Sequence, residues 1–129
     1  MAKTITGQVL VSSAANTAGS TTRGRLDVSS DDGGMIRWRM TNGGTGPTVQ
    51  CEARVLLARK QTSMPTAAAE GTGDDDWKQV YVQGGGTIAN ASTRGSYRFG
   101  PEVAYVEIEF TGNTGQSVTV ECTGDSYTV

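Results

Sequence analysis

The sequence contains no histidine. That absence removes the side chain most often used as a general base and as a metal ligand near neutral pH. A serine or cysteine nucleophile would then need a lysine or a carboxylate as its base, and no Ser-x-x-Lys spacing occurs. Phosphate-cradling loops are missing too: Gly43-Gly44 and Gly84-Gly85-Gly86 lie between strand-like runs and read as turns. Charge of one sign is not in excess, with 11 basic and 13 acidic residues and a net −2. That balance excludes a nucleic-acid partner as an expectation. No run approaches the roughly 18 apolar residues of a membrane span, so no membrane partner is expected. The opening MAKTITGQ lacks an apolar leader core, which points to a chain made and folded in a cytosol. No enzyme activity, cofactor or metal is expected.

Cysteine, proline and aromatics are also scarce: two, three and 6%. Cys51 and Cys122 both fall on apolar sides of strand-like runs. Two buried reduced thiols is the simpler reading, and a disulfide stays open because sequence does not fix a Cα separation.

What is present is glycine, 18 of 129 residues, between short alternating runs. Residues 102–122 are the clearest. Ala104, Val106, Ile108 and Phe110 alternate with Val103, Tyr105, Glu107 and Glu109. Val118, Val120 and Cys122 alternate with Ser117, Thr119 and Glu121. Period-two alternation places each set on one face of a strand. With Gly112, Asn113 and Gly115 between them, the two runs predict a β-hairpin with one apolar face that a second sheet must cover.

Read in order, residues 4–12 predict a strand with Ile5, Gly7, Val9 and Val11 on one face. Residues 13–22 (SAANTAGSTT) have no periodicity and predict a loop or flexible arm, ordered by neighbouring subunits and separable from the fold together with residues 1–12. Leu26 and Val28 belong to a short strand at 24–30, followed by an Asp31-Asp32-Gly33-Gly34 turn. In 35–41, Ile36, Trp38 and Met40 face the core while Arg37 and Arg39 face solvent or a partner. Residues 48–61 predict a long strand, with a bulge expected, although EARVLLARK also suits a helix. A linker at 62–76 follows, with a helical turn at 65–70 as an option. Trp77, Gln79 and Tyr81 then alternate with Lys78, Val80 and Val82. Residues 87–91 suggest a short edge strand, 93–99 carries Tyr97 and Phe99 on one face, and 123–129 adds a strand or reaches a neighbour. About eight strands at this spacing predict one all-β domain over 1–129, an antiparallel β-sandwich of jelly-roll or immunoglobulin-like type.

Candidate sites are few. Asp74-Asp75-Asp76, with Asp31 and Asp32, has the oxygen chemistry of a calcium site but not the DxDxDG spacing, and a solvated acidic loop explains it more simply. Trp77 and Tyr81 share a polar-looking face, which suggests a binding surface unless that face is the buried one. The candidate interface residues are Ile5, Val9, Arg37, Arg39, Trp77 and Tyr81.

The run LDVSSDDGGMIRWRMTNGGTGPTVQCEARVLLAR, together with RFGPEVAYVEIEFTGNTGQSVTVE, resembles small β-sandwich structural proteins of tailed-bacteriophage virions. The matching features are Leu26–Ser29, the Gly33-Gly34 turn, Thr41–Gly44, Tyr105–Ile108, Thr111–Gly115 and Val118–Val120. The Asp74–Asp76 stretch lies outside that pattern. The resemblance implies a non-enzymatic virion protein of the capsid decoration or cement type. It would sit on the capsid surface, be a homotrimer, and have the major capsid protein or other virion proteins as partners. The alternative it leaves open is a tail- or fibre-associated carbohydrate- or receptor-binding module, with Trp77, Tyr81 and Tyr97 stacking on sugar rings.

Overall fold

The computed structural model describes residues 2–66 and 76–129, and among them there are eight strands and no helix. The strands are β1 (Thr4–Asn16), β2 (Thr22–Asp27), β3 (Gly33–Asn42), β4 (Glu52–Ala58), β5 (Trp77–Gly84), β6 (Ser92–Phe99), β7 (Tyr105–Thr111) and β8 (Val118–Thr128). They form two four-stranded sheets, ordered β1-β8-β3-β6 and β2-β7-β4-β5. Every pairing is antiparallel. Only β4 and β5 are both consecutive and paired; each other connection crosses from one sheet to the other. That winding is a jelly roll, which decides between the two sandwich types the sequence left open.

The inner faces meet in one core. Val11, Leu26, Ile36, Met40, Val55, Val106, Ile108, Phe110, Val118 and Val120 are all buried there, as the alternation required. The strand at 48–61 is shorter than expected, and its β conformation excludes the helix that EARVLLARK allowed. Residues 87–91 form a turn, not an edge strand, with Asn90 at φ 62°.

The expected hairpin at 102–122 is corrected. β7 and β8 lie in opposite sheets. Their connection is an arch between the two layers, held by side-chain amides that an alternation pattern cannot reveal. Asn113 is fully buried and exchanges hydrogen bonds with Asn16, its Nδ2 donating to Asn16 O (2.9 Å) and its Oδ1 accepting from Asn16 Nδ2 (2.6 Å). Gly112 and Gly115 take φ of 94° and 83° on either side, a region that costs an L side chain dearly.

β1 also departs from expectation. It runs through to Asn16, so residues 13–22 are divided between the end of β1, a turn at 17–21 and the start of β2. Two register shifts against β8, between Val9 and Val11 and between Val11 and Ala14, turn the strand over. Ile5 and Val9 therefore face out at 60% exposure each, while Val11 enters the core. A separable arm is not what residues 2–22 form, because Val11 and Asn16 are buried within the sandwich.

β5 carries a similar surprise. Leu56 pairs with Gln79 and Val55 with Tyr81, so Val80 is left over as a bulge. The bulge places Trp77 and Tyr81 on opposite faces of the sheet. Trp77 packs with Leu56, Ala58, Ala104, Tyr105 and Met64 in a second apolar cluster outside the main core. The described part of the linker supplies Met64 and, through Thr66 O, the acceptor for Trp77 Nε1 (2.7 Å). The helical turn considered for 65–70 lies mostly outside the described residues.

Candidate functional site

The outer face of the β2-β7-β4-β5 sheet is covered over β7, while Arg23 and Arg25 on β2 and Gln79 on β5 stay exposed at its flanks. Glu107 and Glu109, expected on a polar exposed face, have no exposed surface. In register, Glu109 stands between Arg23 and Arg54, and Glu107 between Arg25 and Leu56. Arg23 Nε lies 3.2 Å from Glu109 Oε2 and 3.8 Å from Glu107 Oε1, and Arg25 Nε lies 3.9 Å from Glu107 Oε1. Arg54 approaches Glu109 Oε1 at 3.9 Å and Glu52 at 3.1 Å. Trp77, one of the six candidate interface residues, belongs to this covered face and is fully buried. It is therefore corrected to a packing residue, since its indole packs against Leu56, Ala58, Tyr105 and Met64 and donates to Thr66 O.

The outer face of the β1-β8-β3-β6 sheet is open. Arg37 Nη2 donates to Asp125 Oδ2 (2.7 Å), and Arg39 Nη2 lies 2.6 Å from Glu121 Oε1, all four side chains being substantially exposed. On the same face Lys3 Nζ sits 5.5 Å above the Tyr127 ring, a cation–π contact. Ile5, Met35, Arg98 and Tyr127 line a depression of about 500 Å³ beside it.

The third region is the side of the sandwich where β5 and β6 end the two sheets. Val80, Tyr81 and Val82 are each about 40% exposed there. Tyr81 lies between Trp38 and Tyr97, with ring centroids 5.8 Å and 6.3 Å away. Trp38 Nε1 donates to Gln83 Oε1 (2.8 Å), and Gln83 Nε2 donates to Arg94 O (3.1 Å), so one amide ties β3, β5 and β6 together. A Cβ on Gly95 would fall 2.5 Å from the Trp38 ring, so only glycine lets the indole lie under β6. Of the expected aromatic set, Tyr81 and Tyr97 come together and Trp77 does not. Trp38 and Gln83 were missed as parts of the cluster. Trp38 sits in a core alternation, and only the bulge at Val80 turns Tyr81 and Gln83 toward it.

Neither cysteine is in a disulfide. Burial pushes the Cys51 thiol up to about 11 and Cys122 up to about 12, so both are protonated and unreactive at neutral pH. Asp27 is held below its ordinary value by hydrogen bonds from the hydroxyl and backbone N–H of Ser29. Asp74 and Asp75 lie outside the described residues. Among the described residues no three His, Cys, Asp or Glu side chains come together as a metal site. Asp32 Oδ2 instead accepts from the backbone N–H of Val129 (2.7 Å).

No protein-family model and no curated protein sequence matches the chain. Solved structures similar in fold include the K3 cleaved adhesin domain of Lys-gingipain from Porphyromonas gingivalis W83. It is 8% identical, with a TM-score of 0.51 over 88% of this chain and 72% of that one. The VP2 subviral particle of infectious bursal disease virus is also similar, at 8% identity and a TM-score of 0.51. There the match covers 98% of this chain but only 33% of the viral one, so this chain spans about a third of that protein's length. A chitosan-binding module from a Paenibacillus chitosanase/glucanase matches at 11% identity and a TM-score of 0.45, over 95% and 93% of the two chains. The two likenesses at a TM-score of 0.51 agree with the sandwich fold that the strand order shows.

Proposed function

We propose that this chain is a non-enzymatic structural protein of a bacteriophage virion, a decoration or cement protein bound to the capsid surface as a homotrimer. The observation that carries the reading is where the exposed apolar side chains lie. Those on strands are Ile5 and Val9 on β1, the edge of one sheet, and Val80, Tyr81 and Val82 on β5, the edge of the other, while Val49, Ile88 and Val129 are exposed singly outside the strands. β1 packs beside β2 and β5 beside β6, so the two patches are on opposite sides of the sandwich. An exposed apolar edge is a template for another chain and is ordinarily blunted by charge. Two unlike patches on opposite sides suit a head-to-tail contact that closes into a ring, which is how a trimer forms without a two-fold face. The sequence resemblance to virion proteins supports the same reading. So does the jelly roll, a fold common in capsid proteins, with VP2 an example from a viral particle. Shell proteins of the particle are then the outer partner, and assembly takes place in the host cytoplasm.

The test is sedimentation equilibrium of the purified chain, followed by co-sedimentation with capsid shells. A trimer that binds shells, reduced to a monomer by Ile5→Asp with Val9→Asp, supports the reading. A monomer at every concentration that leaves shells bare overturns it.

The Tyr81–Tyr97 pair favours a second reading, a glycan-binding module, because two partly exposed rings offer faces for sugar stacking. Saturable glycan binding lost in Tyr97→Ala, by a chain that does not bind shells, would put this reading first.

A further inference from the structure

The geometry points to the free edge of β6 as a docking site for an extended segment of a second protein, one that alternates acidic and apolar residues. β6 is the last strand of its sheet, paired with β3 on one side only. In an antiparallel strand the backbone N–H and C=O of one residue point to the same side, and the side alternates with each residue. Arg94 O accepts from Gln83 of β5, so the backbone groups of Arg94 point away from β3. By the same alternation those of Ser96 and Arg98 also point to the free edge. Arg94 O is already held by Gln83, so an added strand would pair with the groups of Ser96 and Arg98, a short ladder of the kind peptides use at open sheet edges.

The side chains set what that strand must be. Arg94, Ser96 and Arg98 face outward and are exposed. Register puts Arg94 opposite Arg39 and Arg98 opposite Met35, so neither has an acid across the ladder on β3. Glu121 and Asp125, the acids of this face, are engaged with Arg39 and Arg37, and no carboxylate of the described residues lies within 4.0 Å of Arg94 or Arg98. Like charges opposite each other in a ladder are unfavourable, and a carboxylate beside Arg94 relieves that. The inward neighbour of an added strand would be Tyr97 of β6 itself, which calls for apolar side chains. A second copy's β1, which the proposed assembly seats on the β5 patch, would bring Lys3 toward the arginines if it paired with β6 instead, so it does not fit this edge. The inference does not depend on the particle assignment, because an edge of this shape would take such a segment in any assembly.

The probe is a labelled, end-blocked eight-residue peptide alternating glutamate and valine, titrated against the full chain by fluorescence anisotropy. A peptide with lysine for glutamate is the control. Saturable binding of the glutamate peptide is expected, weakened at least about tenfold by Arg94→Glu with Arg98→Glu and strengthened as salt falls. The lysine peptide should bind the reversed variant better than the native chain. Both arginines are exposed, so the variant should keep the native far-UV spectrum; Arg94→Gln with Arg98→Gln serves if it does not, with a smaller loss in the same direction. Absence of saturable binding, equal binding of both peptides, or indifference to both substitutions overturns the inference. So does self-association of the native chain that the charge reversal abolishes, which would make a second copy the occupant.

Discussion

On β3, Arg37 and Arg39 alternate with Ile36, Trp38 and Met40; on β7, Glu107 and Glu109 alternate with Val106, Ile108 and Phe110. The two runs have the same form, and the molecule treats them in opposite ways. The arginines of β3 pair across the ladder with Asp125 and Glu121 in contact with solvent. The glutamates of β7 are fully buried against Arg23, Arg25 and Arg54. Alternation says which residues face away from the core. Whether that outward face meets water depends on what the rest of the chain lays over it.

The comparison is broken most severely at Glu109. Glu109→Ala leaves the partly buried Arg23 and Arg54 without their shared carboxylate, and removing one partner of a buried pair costs about 3 kcal/mol or more. A fall in Tm on the order of 10 °C by calorimetry is expected. A change under about 2 °C would mean that this face is open to solvent.

Gly95→Ala comes next. Its Cβ would lie 2.5 Å from the Trp38 ring and from Gln83 Oε1, so the aromatic edge must shift to admit it. Overpacking of this kind costs about 1–3 kcal/mol, with a changed tryptophan emission as its signature. Native stability with native emission would show that β6 does not lie on the indole.

The matching change on the open face is Glu121→Ala. Arg39 is 42% and Glu121 34% exposed, so the pair contributes about 1 kcal/mol at most and less in high salt. A loss as large as that of Glu109→Ala would erase the distinction between the two faces.

The smallest effect is set by pH. Cys51 and Cys122 are raised in the folded chain from 9.0 to about 11 and about 12. Below pH 9 the thiols are protonated in both states and folding is indifferent to them. Above it the unfolded chain loses these protons first, so stability falls as pH rises from about 9 toward 12. Urea titrations of Cys51→Ala with Cys122→Ala should lack that part of the alkaline loss. An unchanged alkaline slope in the variant would argue that the thiols are not buried.

The strands were legible because period-two alternation is a local signal. Ile36, Trp38 and Met40 face the core, and Arg37 and Arg39 face out, as the pattern of β3 required. Sheet membership was not legible. β7 and β8 look like a hairpin, but the choice between hairpin and arch rests on Asn113 bonding to Asn16, a residue 97 positions away. Bulges were the second blind spot. A single unpaired residue at Val80 sends Trp77 and Tyr81 to opposite faces, and the shifts at Val9–Val11 leave Ile5 and Val9 outside while Val11 goes in. Of the candidate interface residues, Ile5, Val9, Arg37, Arg39 and Tyr81 retain exposed surface, and Trp77 does not.

Assembly through the two apolar edges is tested most directly by sedimentation equilibrium on the native chain and on Ile5→Asp with Val9→Asp, with far-UV spectra recorded for both. A ring built from β1 of one copy and β5 of the next requires a native mass of three chains and a variant mass of one, with matching spectra. A native chain that is monomeric at all concentrations, or a variant that keeps the trimer mass, would contradict it.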